Sequence, residues 1–210
     1  MKLTNGYSGL VLEVTLGPKI GYGYVRLTQI DSQFGFYTSI LDCRRGEPIK
    51  RFDFEEFVKL DDLVAPFLTV GRPPRKGKFK WRPLGYLPME GKDYVIQDFK
   101  GGYPGNQAPE LTKWSVVRGT AASEVVRDDA GEVMMFSYEQ VKHLGYYGHM
   151  SLSEATSRII LEWMKILKMD YIGYEDEEFP KDLLAKQKIQ VSVSIPYSEV
   201  PKEIRGKVII

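Results

Sequence analysis

The sequence predicts an α+β protein: a twisted antiparallel β-sheet, or an open barrel, in the N-terminal half with a long C-terminal helix packed on it. Three observations predict it. Apolar residues in the first third recur with a period of two. Aromatic residues make up 12% of the chain, with 13 Tyr and 10 Phe, and such side chains suit a pleated, half-buried surface. Residues 151–169 carry instead the period of a helix with one face to cover.

The first strand is read from Leu10, Leu12, Val14 and Leu16 alternating with Val11, Glu13 and Thr15, which buries at least one face. Gly17-Pro18 turns the chain. Residues 21–27, Gly-Tyr-Gly-Tyr-Val-Arg-Leu, supply a second strand whose glycines mark a bulge or a close backbone approach. Residues 34–41 are the third strand. Phe54, Phe57 and Val58 after an acidic start suit one or two helical turns over 53–60, and 65–70 is a further apolar run. Residues 78–82 and 94–99 resume the strand pattern. Residues 100–110 hold two prolines and three glycines and form the main internal loop. Residues 113–118 read as a strand, and 137–144 as a short helix ended by Gly145. The long helix opens on Ser151 with Glu154 three residues on, a capping box that satisfies two orphan N–H groups. Leu152, Ala155, Ile159, Ile160, Trp163, Ile166 and Leu167 make its apolar face. Residues 189–195 alternate as a late strand stopped by Pro196.

With 210 residues, 43% hydrophobic and 27% charged, the chain suits one packed domain spanning 1–210, β-rich over 1–119 and mixed over 120–210. The formal charge is +1, from 29 basic and 28 acidic residues. That balance argues against a global phosphate-tracking role on nucleic acid. Cys43 is the single cysteine, so no internal disulfide forms, which fits a reducing cytosol. The N-terminus lacks the apolar stretch of a signal peptide, and no apolar run approaches the ~18 residues of a membrane span. The expectation is a cytoplasmic protein away from membranes.

Catalytic patterns are sparse. His143 and His149 lie six apart across two glycines, without the i, i+4 spacing of a helical zinc pair. Cys43 follows an apolar run and reads as a small core residue. Gly-x-Ser-x-Gly and Walker motifs are absent, and Gly21-Tyr22-Gly23 lacks the third glycine of a dinucleotide loop. No catalytic, metal or cofactor residue is therefore assigned.

The run Leu10–Leu16 followed by Ile20-Gly21-Tyr22-Gly23-Tyr24-Val25-Arg26 resembles the opening of the immunity protein 26 family of bacterial polymorphic toxin systems. Ile40-Leu41-Asp42-Cys43, the run Val64–Val70 and Lys80-Trp81-Arg82-Pro83-Leu84-Gly85 extend the likeness over the first half of the chain, in short pieces. Residues 120–210 lie outside it. The resemblance implies a cytoplasmic protein that binds and neutralises a cognate toxin with no cofactor. Some relatives carry a phosphotriesterase label, so it also leaves a phosphoester hydrolase open. No functional residue carries over.

For a binding protein, contact surfaces matter more than catalytic groups. Asp170, Glu175, Asp176, Glu177, Glu178 and Asp182 surround Tyr171, Tyr174 and Phe179. Carboxylates with aromatic anchors suit a basic toxin surface, although a solvated loop after a helix has the same composition. The loop with Tyr103 and Asn106 is a second contact candidate. As a strand, 76–82 would set Lys76, Lys78, Lys80 and Arg82 on one face and Phe79 and Trp81 on the other, either to meet phosphates or simply to keep a sheet edge solvated.

Overall fold

The computed structural model describes residues 7–31, 35–88, 97–102, 104–105, 107–119, 124–170 and 181–210, with the backbone alone at 29–31 and 181–183. The period-two segments form β1 (Leu10–Gly17), β2 (Gly21–Asp31) and β3 (Gly35–Arg45), an antiparallel meander. β4 (Phe67–Val70) adds to β3, and β5 (Trp81–Tyr86) adds to the free side of β1. A short strand from the second half of the chain, β9 (His149–Ser151), pairs parallel to β4. The result is an open sheet of six strands in the order β5-β1-β2-β3-β4-β9. A second sheet of three strands places β6 (Asp98–Gly101) between β7 (Ser115–Arg118), antiparallel, and β8 (Gly145–Tyr146), parallel.

Both faces of the large sheet carry packed elements, one along its length and the other in part. One meets α3 (Leu152–Ile166), the long helix read from the sequence. Leu10, Leu12, Val14 and Leu16 of β1, Val25 and Leu27 of β2, and Phe36 and Ile40 of β3 join Ala155, Ile159, Ile160 and Trp163 in the main core. Each large apolar side chain withdrawn there contributes roughly 1.5–3 kcal/mol. The predicted capping box forms: the Glu154 amide donates to Ser151 Oγ at 3.1 Å and the Ser151 amide to Glu154 Oε2 at 2.7 Å. The helix stops where Lys168 takes a left-handed φ of 52°. Gly23 on β2 makes close packing possible, because a Cβ there would stand 2.9 Å from Leu16 Cδ1 and 3.0 Å from Trp163 Nε1. The β2–β3 register also slips beside it, between Gly23 and Tyr24. At the sheet edge Trp81 Nε1 donates to Thr156 Oγ1 at 2.8 Å, fixing β5 to α3.

The other face of the sheet is covered in two patches. Val11, Tyr24 and Leu41 pack with Phe57 of α1 (Phe54–Phe57) and with Leu87, and the part-buried Cys43 sits against that patch. Farther along, Tyr37 and Leu68 meet Phe99 of the small sheet. Gly145 lets the two sheets approach, since a Cβ there would stand 2.3 Å from the Pro66 carbonyl oxygen. The small sheet has its own core of Trp114, Val116, Phe136, Leu144, Val193 and Val141, the last from α2 (Tyr138–Val141).

Several expectations are corrected. Residues 189–195 are not a strand: α4 runs Lys181–Ser192 and the chain leaves it before Pro196. Among its described side chains, Leu184, Gln187, Gln190 and Val191 are buried, and the two glutamines on that stripe hide the helical period. The loop expected over 100–110 begins only after Gly101, because Lys100 and Gly101 belong to β6. Of the basic stretch only Trp81 and Arg82 are in a strand. Residues 72–80 are irregular around Pro73, Pro74 and a left-handed Gly77, although Phe79 and Trp81 are buried and Lys76, Lys78 and Lys80 exposed, as alternation would give. Leu167, placed on the apolar helix face, is instead exposed at the helix end. Residues 94–96 lie outside the described residues.

Candidate functional site

Between the two covered patches the second face of the sheet is left open as a cleft of about 490 Å³. Strand alternation builds its floor. Val25 and Leu27 point to α3, so Arg26 and Thr28 point away from it, and Tyr37 and Ser39 of β3 join them. Residues 61–63 form one wall, held to β3 by Asp42 N–H donating to the Asp61 carbonyl at 2.8 Å and Leu63 N–H to the Ile40 carbonyl at 2.7 Å.

Residues 196–208 form the opposite wall. Tyr197 N–H donates to the Leu63 carbonyl at 2.9 Å, Asp98 N–H to the Gly206 carbonyl at 2.8 Å, and Val208 N–H to Asp98 Oδ2 at 3.0 Å. Arg205 joins the two walls. Its guanidinium donates to both Asp61 oxygens at 2.7 and 2.8 Å, to the Val200 and Tyr197 carbonyls, and lies 4.7 Å from the Tyr197 ring centroid. Burial pushes the Asp61 carboxyl up, but the bonds from Arg205 and the Asp62 amide outweigh it and leave the group below its usual range.

Asp62 and Tyr197 act on each other electrostatically in this cleft. Asp62 accepts from Ser39 Oγ at 3.2 Å. Withdrawal from water pushes its carboxyl up to about 6, against the nearby Arg26 charge, although the residue as a whole keeps part of its surface exposed. Tyr197 is buried, and its hydroxyl has no hydrogen-bond partner. Burial first, and the Asp62 charge second, raise that phenol well above the usual range. A carboxyl held against its preference, in a concave site with other polar groups, is the usual mark of a place kept for binding or chemistry. A wider hollow of about 580 Å³ beside α1 is shallower, and its Arg45–Glu56 pair lies at the surface.

A buried charge cluster lies under the other side of the molecule. Arg158 and Glu162 of α3 pair at 2.6 Å, Arg158 Nη1 donates to Gln190 Oε1 at 3.0 Å, and Ser194 Oγ donates to Glu162 Oε2 at 2.7 Å. Lys165 Nζ donates to the Val191 and Ser194 carbonyls at 2.8 and 2.6 Å. Lys100 is almost fully buried and donates to the Lys142 and Val193 carbonyls, both at 2.8 Å. The two lysines thus satisfy carbonyls at the ends of α2 and α4. Burial, then the Arg158 charge, bring the Lys100 amine down to about 7.

No sequence candidate is among the described residues that line this cleft. Tyr171, Tyr174, Glu175, Asp176, Glu177, Glu178, Phe179, Tyr103 and Asn106 lie outside the described residues. Asp182 is described by its backbone alone, in the first turn of α4, and Asp170 is exposed after α3. His143 is buried, its Nε2 bonded to the Lys207 carbonyl, and burial lowers its basicity. His149 is exposed on β9, edge-on to Tyr147. Arg82 of the basic stretch is occupied by the buried Glu13 and the Ile49 carbonyl. Among the described residues no three His, Cys, Asp or Glu side chains gather to hold a metal ion. Nor is any described helix long and apolar enough to cross a membrane.

Reading the sequence missed Asp62, Tyr197 and Arg205. Adjacent Asp61-Asp62 between Leu60 and Leu63 was the available signal; the contact of Arg205 with Asp61 across 144 positions left none. No family model matches this chain, and neither a curated protein nor a solved structure matches it.

Proposed function

We propose that the chain is a stoichiometric binding protein whose cleft, between residues 61–63 and 196–208, receives a protruding segment of a partner protein. The partner class follows the resemblance of residues 10–85: a cognate bacterial toxin, neutralised by occupation in the cytoplasm. The observation that carries the reading is the cleft itself. It is a recess of ligand-pocket size on the face of a rigid sheet, holding a destabilised carboxyl and a buried hydroxyl without a partner. The test is co-purification from native lysate with wild type and with Tyr197→Phe, followed by a toxicity assay on whatever is recovered. A toxin domain at near-equal stoichiometry, neutralised by wild type and more weakly by the variant, is the expected result. A recovered toxin bound equally by both proteins removes the cleft from the interface, and recovery of none removes the toxin reading.

A second reading, phosphoester hydrolysis, is favoured by one observation: Ser39 Oγ bonds a carboxyl tuned near neutrality in an open cleft. It requires turnover of an aryl phosphoester that Asp62→Asn abolishes, and a wild-type rate equal to buffer ends it.

A further inference from the structure

We propose that the group recognised in the cleft is a neutral amide, a peptide or carboxamide unit that offers one N–H and one C=O. This assignment rests on the cleft being a binding site, as above, and concerns what enters it.

Three observations converge. First, the unmet hydrogen-bonding capacity is of both kinds. The Tyr197 hydroxyl is buried without a partner and needs an acceptor to donate to. The Asp62 carboxylate accepts one side-chain bond, the long one from Ser39, although an ionised carboxylate has about four acceptor positions. Second, the two groups share one neighbourhood: both line the cleft, and the Asp62 charge acts on the Tyr197 phenol. A single guest can therefore serve both, its N–H on Asp62 and its C=O on the Tyr197 hydroxyl. Third, the charges disfavour an ionic guest of either sign. Arg205 and Asp61 are committed to each other. A cationic guest would then meet Lys202 and Lys207, and an anionic guest would meet Asp62 and Glu203. Asp62 already sits where burial works against its charge, so a second anion beside it is opposed most strongly. An amide supplies the missing donor and acceptor without adding charge, and leaving such buried groups unmatched is what a site built for hydrogen bonding rejects.

Three nearly isosteric probes separate the possibilities: acetamide, acetate and acetamidinium. Each is titrated into the isotope-labelled full chain at fixed ionic strength, and the backbone amide shifts of Ser39, Asp62, Tyr197 and Arg205 are followed. The expected result is saturable shifts at these residues with acetamide, half-complete at a lower concentration than with either ion. Tyr197→Phe keeps the ring beneath Arg205 and removes only the hydroxyl. It is expected to weaken acetamide roughly tenfold, the effect of one lost hydrogen bond. Tighter binding of acetate or acetamidinium overturns the assignment, as does an acetamide affinity unchanged in Tyr197→Phe or the absence of saturable shifts with all three probes. Failure here with a toxin still captured through the cleft would fell the amide assignment alone. Acetamide binding with no toxin recovered would fell the toxin reading alone.

Discussion

Asp62 works against the fold that contains it. Its folded value, about 6, stands above the ordinary 3.8, so the folded protein binds a proton there that the unfolded chain has released. The stabilising contribution is complete below pH 3.8 and is lost as pH rises through 6. Asp62→Asn is expected to be more stable than wild type at pH 7, on the order of 1–2 kcal/mol, with the gap closing below pH 4. Urea unfolding of both proteins across this range checks it; a gap that does not change with pH would place the Asp62 charge in ordinary solvent.

At the scale of elements, what the sequence makes plain is what repeats locally. β1 shows itself by alternation, and α3 by its capping box and apolar stripe. α4 does not, because Gln187 and Gln190 occupy buried positions where the stripe needs apolar residues. The same blindness covers the buried Arg158–Glu162 pair, legible as an i, i+4 pair but not as a core feature. Gly23 is the reverse case, a single residue whose role as a close approach is readable and whose partner is not. Gly23→Ala pushes a methyl into Trp163 and Leu16 and is expected to cost about 1–3 kcal/mol. Trp163→Phe should lose less when combined with Gly23→Ala than additivity predicts, since the smaller ring frees the space. A double-mutant cycle by denaturant unfolding measures this, and strict additivity would show that Trp163 is not what Gly23 accommodates.

The whole molecule is a large sheet with one face covered by α3 and the other covered in part by α1 and the small sheet, the gap between those two patches being walled by residues 61–63 and 196–208. That explains why the fold class was legible and the candidate site was not. Periodicity reports which face of an element is covered, whereas the cleft arises where residues 26–39, 61–63 and 196–208 meet, and none of these segments carries the site alone. Arg205→Ala removes the tie between the walls and is expected to cost about 1–3 kcal/mol, chiefly through its bonds to the Tyr197 and Val200 carbonyls. Hydrogen exchange should speed up at the amides of Tyr197 and Asp98 while those of β1 and β2 stay protected. Uniform loss of protection would mean that the wall and the sheet open as one unit.

The distant closure also fixes an order of events during synthesis. A ribosome delivers β1, β2 and β3 before the other described elements of the sheet, and these can pair as soon as they emerge, but β9 and α3 arrive more than a hundred residues later and the Arg205 clasp later still, after α4. Until α3 is made, the growing chain carries a sheet whose α3-facing apolar residues are bare, the condition in which nascent proteins stick to one another. The cleft therefore forms only after both the sheet and α3 have been made, when residues 196–208 become available to wall it.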